Sequence, residues 1–132
     1  MDRVGNGEVY TWGCEDDGKL GHGTATNLLA TSTNTKIMPT SLANKATSNN
    51  NAKIDFNVPN RIDSLYQKGI RVTQIGCGLF HSAAIGVSTS GEGRHVDVYC
   101  WGLGLGGRLG FGHEKSVEVP TLVSGIHFNL NK

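Results

Sequence analysis

The chain has 132 residues, room for one small domain. Twelve Lys and Arg residues against eleven Asp and Glu give a net charge of +1, which excludes the clustered positive excess of a nucleic-acid binder. Its 19 glycines are about twice the usual ~7% share and argue against long helices, because each interior glycine costs a helix about 1 kcal/mol.

Cys14, Cys77 and Cys100 are odd in number and far apart, so a disulfide scaffold is excluded. They read as buried or semi-buried thiols of a reducing compartment, which places the chain inside the cell, in cytoplasm or nucleus. Neither they nor His22, His81, His95, His113 and His127 have metal-ligand spacing, so no metal and no cofactor is expected. The start, Met1 to Asn6, lacks the apolar stretch of a secretory signal. The longest nearly apolar run, Ala83 to Val87, is too short to span a bilayer, so no membrane contact is expected.

In chain order, the first element is a short β-branched and aromatic run, Val9-Tyr10-Thr11-Trp12, which predicts a strand ended by Gly13. Alternation puts Tyr10 and Trp12 on one face and Val9 on the other. A glycine-rich loop follows through Gly18, Gly21 and Gly23, with Leu20 as its apolar plug into the core. Residues 24–57 are rich in Thr, Asn, Ser and Ala and keep no helix or strand period. They read as a mobile surface insert, a short docking point at Ile37-Met38 being the lesser alternative. A Pro-led strand comes next, Val58 to Ile62, and then the alternating run Ile70 to Ile75, a half-buried strand. Gly76-Cys77-Gly78 marks an antiparallel turn into His81 to Ile85, whose small side chains predict close packing on a neighbouring sheet. Ser88 to His95 reads as a polar hairpin loop.

The chain then repeats itself. With Trp12 aligned on Trp101, residues 9–23 and 98–112 share eight of fifteen positions, among them Tyr10/Tyr99, Gly13/Gly102, Gly18/Gly107, Leu20/Leu109 and Gly21/Gly110. Uncommon residues in register at that density mark an internal duplication. A second Pro-led strand, Val119 to Val123, follows the second copy as the first follows the first. Trp12 and Trp101 are accordingly expected as equivalent core or inter-blade anchors.

The order VYxWGxxxxGxLGxG, Pro-led strand, alternating strand, GCGxxHSAAI, VYxWG closely resembles the repeat of the RCC1 family, the regulator-of-chromosome-condensation propellers. The resemblance covers nearly all of the chain apart from residues 24–57. It implies an all-β fold, an antiparallel propeller segment of about one and a half repeats, in a ring usually closed by seven four-stranded blades. Residues 58–95 complete the first repeat and residues 96–132 begin the next. One open blade exposes sheet edges and apolar faces, so the 132 residues are expected to be part of a longer propeller whose other blades lie in the same chain or in a partner.

No catalytic residue is expected. Gly102 to Gly107 matches the glycine pattern of a dinucleotide loop, but Arg108 to Gly112 makes a poor helix to present N–H groups to a pyrophosphate, so a structural loop is expected. His81, at the family's GxxHS position, has no acid or nucleophile placed with it and reads as a side chain hydrogen-bonding its turn to a neighbouring loop. The candidate partner-contact loop is Glu15-Asp16-Asp17. The resemblance implies a protein partner: a scaffold first, then a guanine-nucleotide exchange factor for a small Ran-like GTPase, or a regulatory propeller fused to a ubiquitin ligase or kinase. Exchange factors of the family carry acidic contacts on one face. Phe80 departs from that pattern where a polar contact is expected, and no inserted β-wedge is evident. A clustered-lysine arm for chromatin is absent too, so nucleic acid is not an expected partner of this segment.

Overall fold

The computed structural model describes residues 6–23, 54–90 and 93–129. Two antiparallel sheets make the fold. The small sheet pairs β1 (Tyr10–Thr11) with β2 (Asn60–Arg61), in register Tyr10 with Arg61. The large sheet runs β3 (Arg71–Cys77), β4 (His81–Ser90), β5 (Gly93–Gly102), β6 (Val117–Asn129) in sequence order. This four-stranded meander is one blade, and β1–β2 is the matching half of the blade before it. A short helix, α1 (Asp63–Gln67), joins the two sheets.

α1 was not legible as a helix from periodicity. Its end is built by Gly69, at φ 67°. The Gly69 N–H donates to the Tyr66 carbonyl and the Ile70 N–H to the Leu65 carbonyl, at 3.0 and 3.1 Å. These are the two bonds of a Schellman closure, and the apolar pair that accompanies it, Leu65 with Ile70, is buried in the core.

The core lies between the half-blade and the blade. Val9, Ile62, Leu65 and Ile70 meet Ala84, Tyr99 and Trp101 in one cluster. β4 supplies the close approach that its small residues predict: Ser82, Ala84 and Gly86 alternate as its buried positions. Leu20 and Leu109 are both buried beneath their loops, as expected.

Several expectations are corrected. Trp101 is 1% exposed but Trp12 is 60% exposed, so the two are not equivalent anchors among the described residues. The face that covers Trp101 is donated by the preceding half-blade, and among the described residues nothing of that kind precedes Trp12. β3 is not half-buried: only Val72 is partly covered, and Ile75 is 66% exposed, because β3 is the outer strand with one full neighbour. Cys14 and Cys77 are exposed rather than buried, and Cys100 is half-buried. Ser88 to His95 is not a loop throughout, since pairing of β4 with β5 continues through Ser88 with His95 to Ser90 with Gly93. Most of the predicted insert, including Ile37-Met38, lies outside the described residues. Its end, residues 54–57, is packed on the loop after β1: the Phe56 carbonyl accepts from the Gly13 N–H at 2.7 Å.

Candidate functional site

The glycine-rich loops of the two copies have the same backbone. Glu15 and Gly104 open the turn at φ −89° and −91°, and Lys19 and Arg108 close it at φ −63° in both. Asp17 and Gly106 hold the left-handed position between them, at φ 61° and 73°. Asp is among the few non-glycine residues that take this conformation, so an acidic loop and a glycine loop fold alike. Matching turn bonds, Gly18 N–H to Glu15 O at 3.1 Å and Gly107 N–H to Gly104 O at 3.0 Å, fix both.

The first loop is locked onto the blade. The Lys19 carbonyl accepts two hydrogen bonds at 2.9 Å, one from Trp101 Nε1 and one from Ser82 Oγ. Gly21 lies against the indole so closely that a Cβ there would sit 2.7 Å from Nε1. The loop edge therefore requires glycine at 21 for space as well as for its φ of 79°. Above it, the Lys19 ammonium lies 5.7 Å from the centroid of the Phe80 ring.

Behind the loop sits a polar pair. Thr11 Oγ1 donates to the Leu20 carbonyl at 2.6 Å, which leaves it to accept from His22 Nε2 at 2.9 Å. The His22 ring tilts against Phe56 with centroids 5.7 Å apart. Burial holds the His22 pKa below the ordinary histidine value, with Asp63 and a hydrogen bond at the Thr11 backbone opposing it. His22 is therefore a neutral, structural imidazole at pH 7.

Glu15, Asp16 and Asp17 are all exposed at the rim of this assembly. Two clefts open on either side of Phe56 and share Glu15. One, of about 320 Å³, is lined by Asp17, His22, Phe56 and Glu118 among others. The other, of about 540 Å³, runs from Gly13 and Cys14 to Asp55 and Asn57. The Cys14 thiol donates to Asp16 Oδ2 at 2.9 Å. The acidic loop is thus a fixed ledge between two shallow clefts, and Phe56 is the part of the site that sequence reading missed.

The other predicted residues fall as follows. Gly13 and Gly102 end their strands at φ 107° and 108°. Gly18, Gly21, Gly107 and Gly110 shape the paired loops. His81 does not make the expected side-chain hydrogen bond: the described residues offer its buried Nδ1 no partner, and the turn is closed instead by Gly78 N–H to the His81 carbonyl at 2.7 Å. The His81 ring packs over Gly78. Gly102 to Gly107 forms a single tight turn and no phosphate-facing helix. No three potential metal ligands converge among the described residues. No helix among them is long and apolar enough to cross a membrane.

A half-blade locked to a full four-stranded blade by a repeated tryptophan-and-glycine motif defines a β-propeller repeat protein. The regulator of chromosome condensation (RCC1) repeat matches residues 6–85 and 97–130, and the chain belongs to this family. It is 35% identical over 122 residues to the human E3 ubiquitin-protein ligase HERC2, covering 91% of this chain and 2% of that protein. It is 35% identical over 115 residues to the mitochondrial RCC1 domain-containing protein RUG3 of Arabidopsis thaliana, covering 87% of this chain and 22% of that one. It is 34% identical over 119 residues to the mouse inhibitor of Bruton tyrosine kinase, covering 90% of this chain and 6% of that one. The chain spans less than a quarter of each of these relatives.

Proposed function

We propose that the chain is a non-enzymatic protein-interaction scaffold, one and a half repeats of a longer propeller working in the cytoplasm or nucleus. The observation that carries this reading is the Glu15–Asp17 ledge, exposed yet held by turn hydrogen bonds between two clefts. A rigid sheet that presents a fixed, charged loop suits recognition of a basic protein surface. The test is cross-linking of the intact protein in cells, wild type against Glu15→Ser/Asp16→Ser/Asp17→Gly. The variant loses specific cross-linked partners, the lost ones docking through basic surfaces, while its melting temperature is unchanged. An identical partner set for both proteins rejects the ledge as the contact.

The second reading is a guanine-nucleotide exchange factor for a small Ran-like GTPase. The same acidic ledge favours it, since exchange proceeds by displacing nucleotide and Mg²⁺ contacts and needs no catalytic side chains. Release of a fluorescent GDP analogue from Ran-like GTPases measures it directly, and unaltered release rates reject it. A regulatory propeller attached to a ubiquitin ligase or kinase domain is compatible with the scaffold reading, as one relative is named a ubiquitin ligase. The complete open reading frame decides that arrangement.

A further inference from the structure

The second copy of the glycine-rich loop presents a different surface from the first. Where the first has Glu15, Asp16 and Asp17, the aligned positions of the second hold Gly104, Leu105 and Gly106. Leu105 is 58% exposed. Asp16, its aligned residue, is exposed although the following blade already stands against its loop, so the exposure comes with the loop position.

The turn between β3 and β4 brings two more apolar side chains to this end of the blade. Leu79 and Phe80 lie beyond the last strand pair, Cys77 with Ser82, and are 79% and 37% exposed. The turn is held on both sides. The Gly78 N–H donates to the His81 carbonyl at 2.7 Å, and the Phe80 carbonyl accepts from the Leu103 N–H at 2.9 Å. That second bond ties the turn to the loop that presents Leu105. Exposed leucines scattered singly need no explanation, but a fixed cluster of apolar side chains marks a contact surface.

Cations frame the cluster. The Lys19 ammonium reaches the Phe80 ring from the first loop. Arg108 Nε donates to the Leu105 carbonyl at 2.7 Å, and the Lys115 carbonyl packs against Gly104. Lys19, Arg108 and Lys115 have no ion pair among the described residues. Against them stands Glu114, which accepts from the Gly106 N–H at 3.0 Å. Positive charge therefore outweighs negative around the apolar cluster, the reverse of the ledge.

We propose that Leu79, Phe80 and Leu105 form a second contact surface, which takes a protein segment that pairs leucine or aromatic side chains with Asp or Glu. A narrow segment fits better than an anionic membrane, because a broad anionic surface laid on the cluster would also meet the carboxylates just ahead of Lys19. The proposal stands apart from the ledge reading, and the two surfaces ask for opposite charge.

Selection of a random phage-displayed peptide library on the intact protein tests it. The recovered peptides combine leucine or aromatic residues with Asp or Glu. By fluorescence anisotropy of a labelled recovered peptide, Leu79→Ser raises Kd about ten-fold or more. Lys19→Gln, which leaves the carbonyl joint in place, raises it about two- to five-fold and flattens its salt dependence. Glu15→Ser/Asp16→Ser/Asp17→Gly binds the peptide at least as tightly as wild type, since it removes carboxylates that repel the ligand, so failure of the ledge reading and failure of this one are told apart. A selection that yields no peptide, or peptides without acidic residues, overturns the proposal. An affinity indifferent to Leu79→Ser does so too. Sedimentation with phosphatidylserine vesicles that Leu79→Ser abolishes assigns the cluster to a membrane and also overturns it.

Discussion

The two copies of the tryptophan motif share backbone and differ in setting. Both loops trace the same turn, residue for residue, with an acidic Asp17 at the left-handed position in one and Gly106 in the other. Yet the second tryptophan is sealed and the first faces solvent. The difference teaches that the motif encodes a loop shape, while burial of its tryptophan is supplied by the repeat before it. A second contrast lies behind the loops. Thr11 and His22 form a hydrogen-bonded pair in the first copy, and the aligned positions in the second hold Cys100 and Phe111. Burial raises the Cys100 thiol pKa, in keeping with an apolar version of the same position.

The sharpest way to break this contrast is to truncate both tryptophans. Trp101→Ala should lower stability by about 3–5 kcal/mol in urea unfolding, as buried aromatics do. Trp12→Ala should stay within about 0.5 kcal/mol under dilute conditions, as exposed positions do. Equal losses would refute the asymmetry. Next in size is Gly21→Ala against Gly110→Ala. Both impose a left-handed backbone on alanine, at φ 79° and 77°, but only the first drives a methyl into the Trp101 ring, the nearest atom to the second being Val123 at 3.4 Å. Gly21→Ala should therefore cost about 1–3 kcal/mol more than its counterpart in thermal melts. Matching melting temperatures would mean that the indole yields.

Ser82→Ala removes one of the two donors on the Lys19 carbonyl and should cost about 1 kcal/mol, read from the same urea titration. The Trp101 bond remains, so a loss as large as that of Trp101→Ala would show that the two donors act as one unit. The smallest effect is the pH dependence of the first copy alone. His22 has its pKa lowered by folding, so the unfolded chain binds the proton more readily. The stability it contributes is present above about pH 6.5, the ordinary histidine value, and is lost as pH falls below it toward the folded pKa. His22→Phe, which installs the residue of the second copy, should flatten melting temperature against pH across that window. An unchanged slope would assign the titration to another group.

Much of the blade was legible beforehand because local chemistry carries it. The fifteen-residue duplication, the buried Leu20 and Leu109, the small residues of β4 and the glycine turn ahead of His81 all follow from neighbouring residues in sequence. The exposure of Trp12 was not legible, since it depends on what another repeat contributes. α1 was missed because five residues carry no helical period, although Gly69 followed by Ile70, with Leu65 five residues earlier, spelled its Schellman closure. The contact of His81 was misjudged because a partner cannot be inferred from the turn alone. Phe56 was passed over as the end of a polar stretch, and only its backbone bond to Gly13 makes it the wall of two clefts. The ledge itself was legible as acidic and exposed, and the structure adds that it is held.

Lys19 takes part in the joint between repeats through its carbonyl oxygen, a group that every amino acid carries. The indole that grips it reads the path of the main chain and is blind to the side chain standing there, which is Lys in one copy and Arg in the other. A joint of that kind makes no demand on the side chain of the loop it holds. Units built on it can be duplicated, deleted or reordered by recombination without rematching their surfaces, while the side chains on the loops are free to diverge toward new partners.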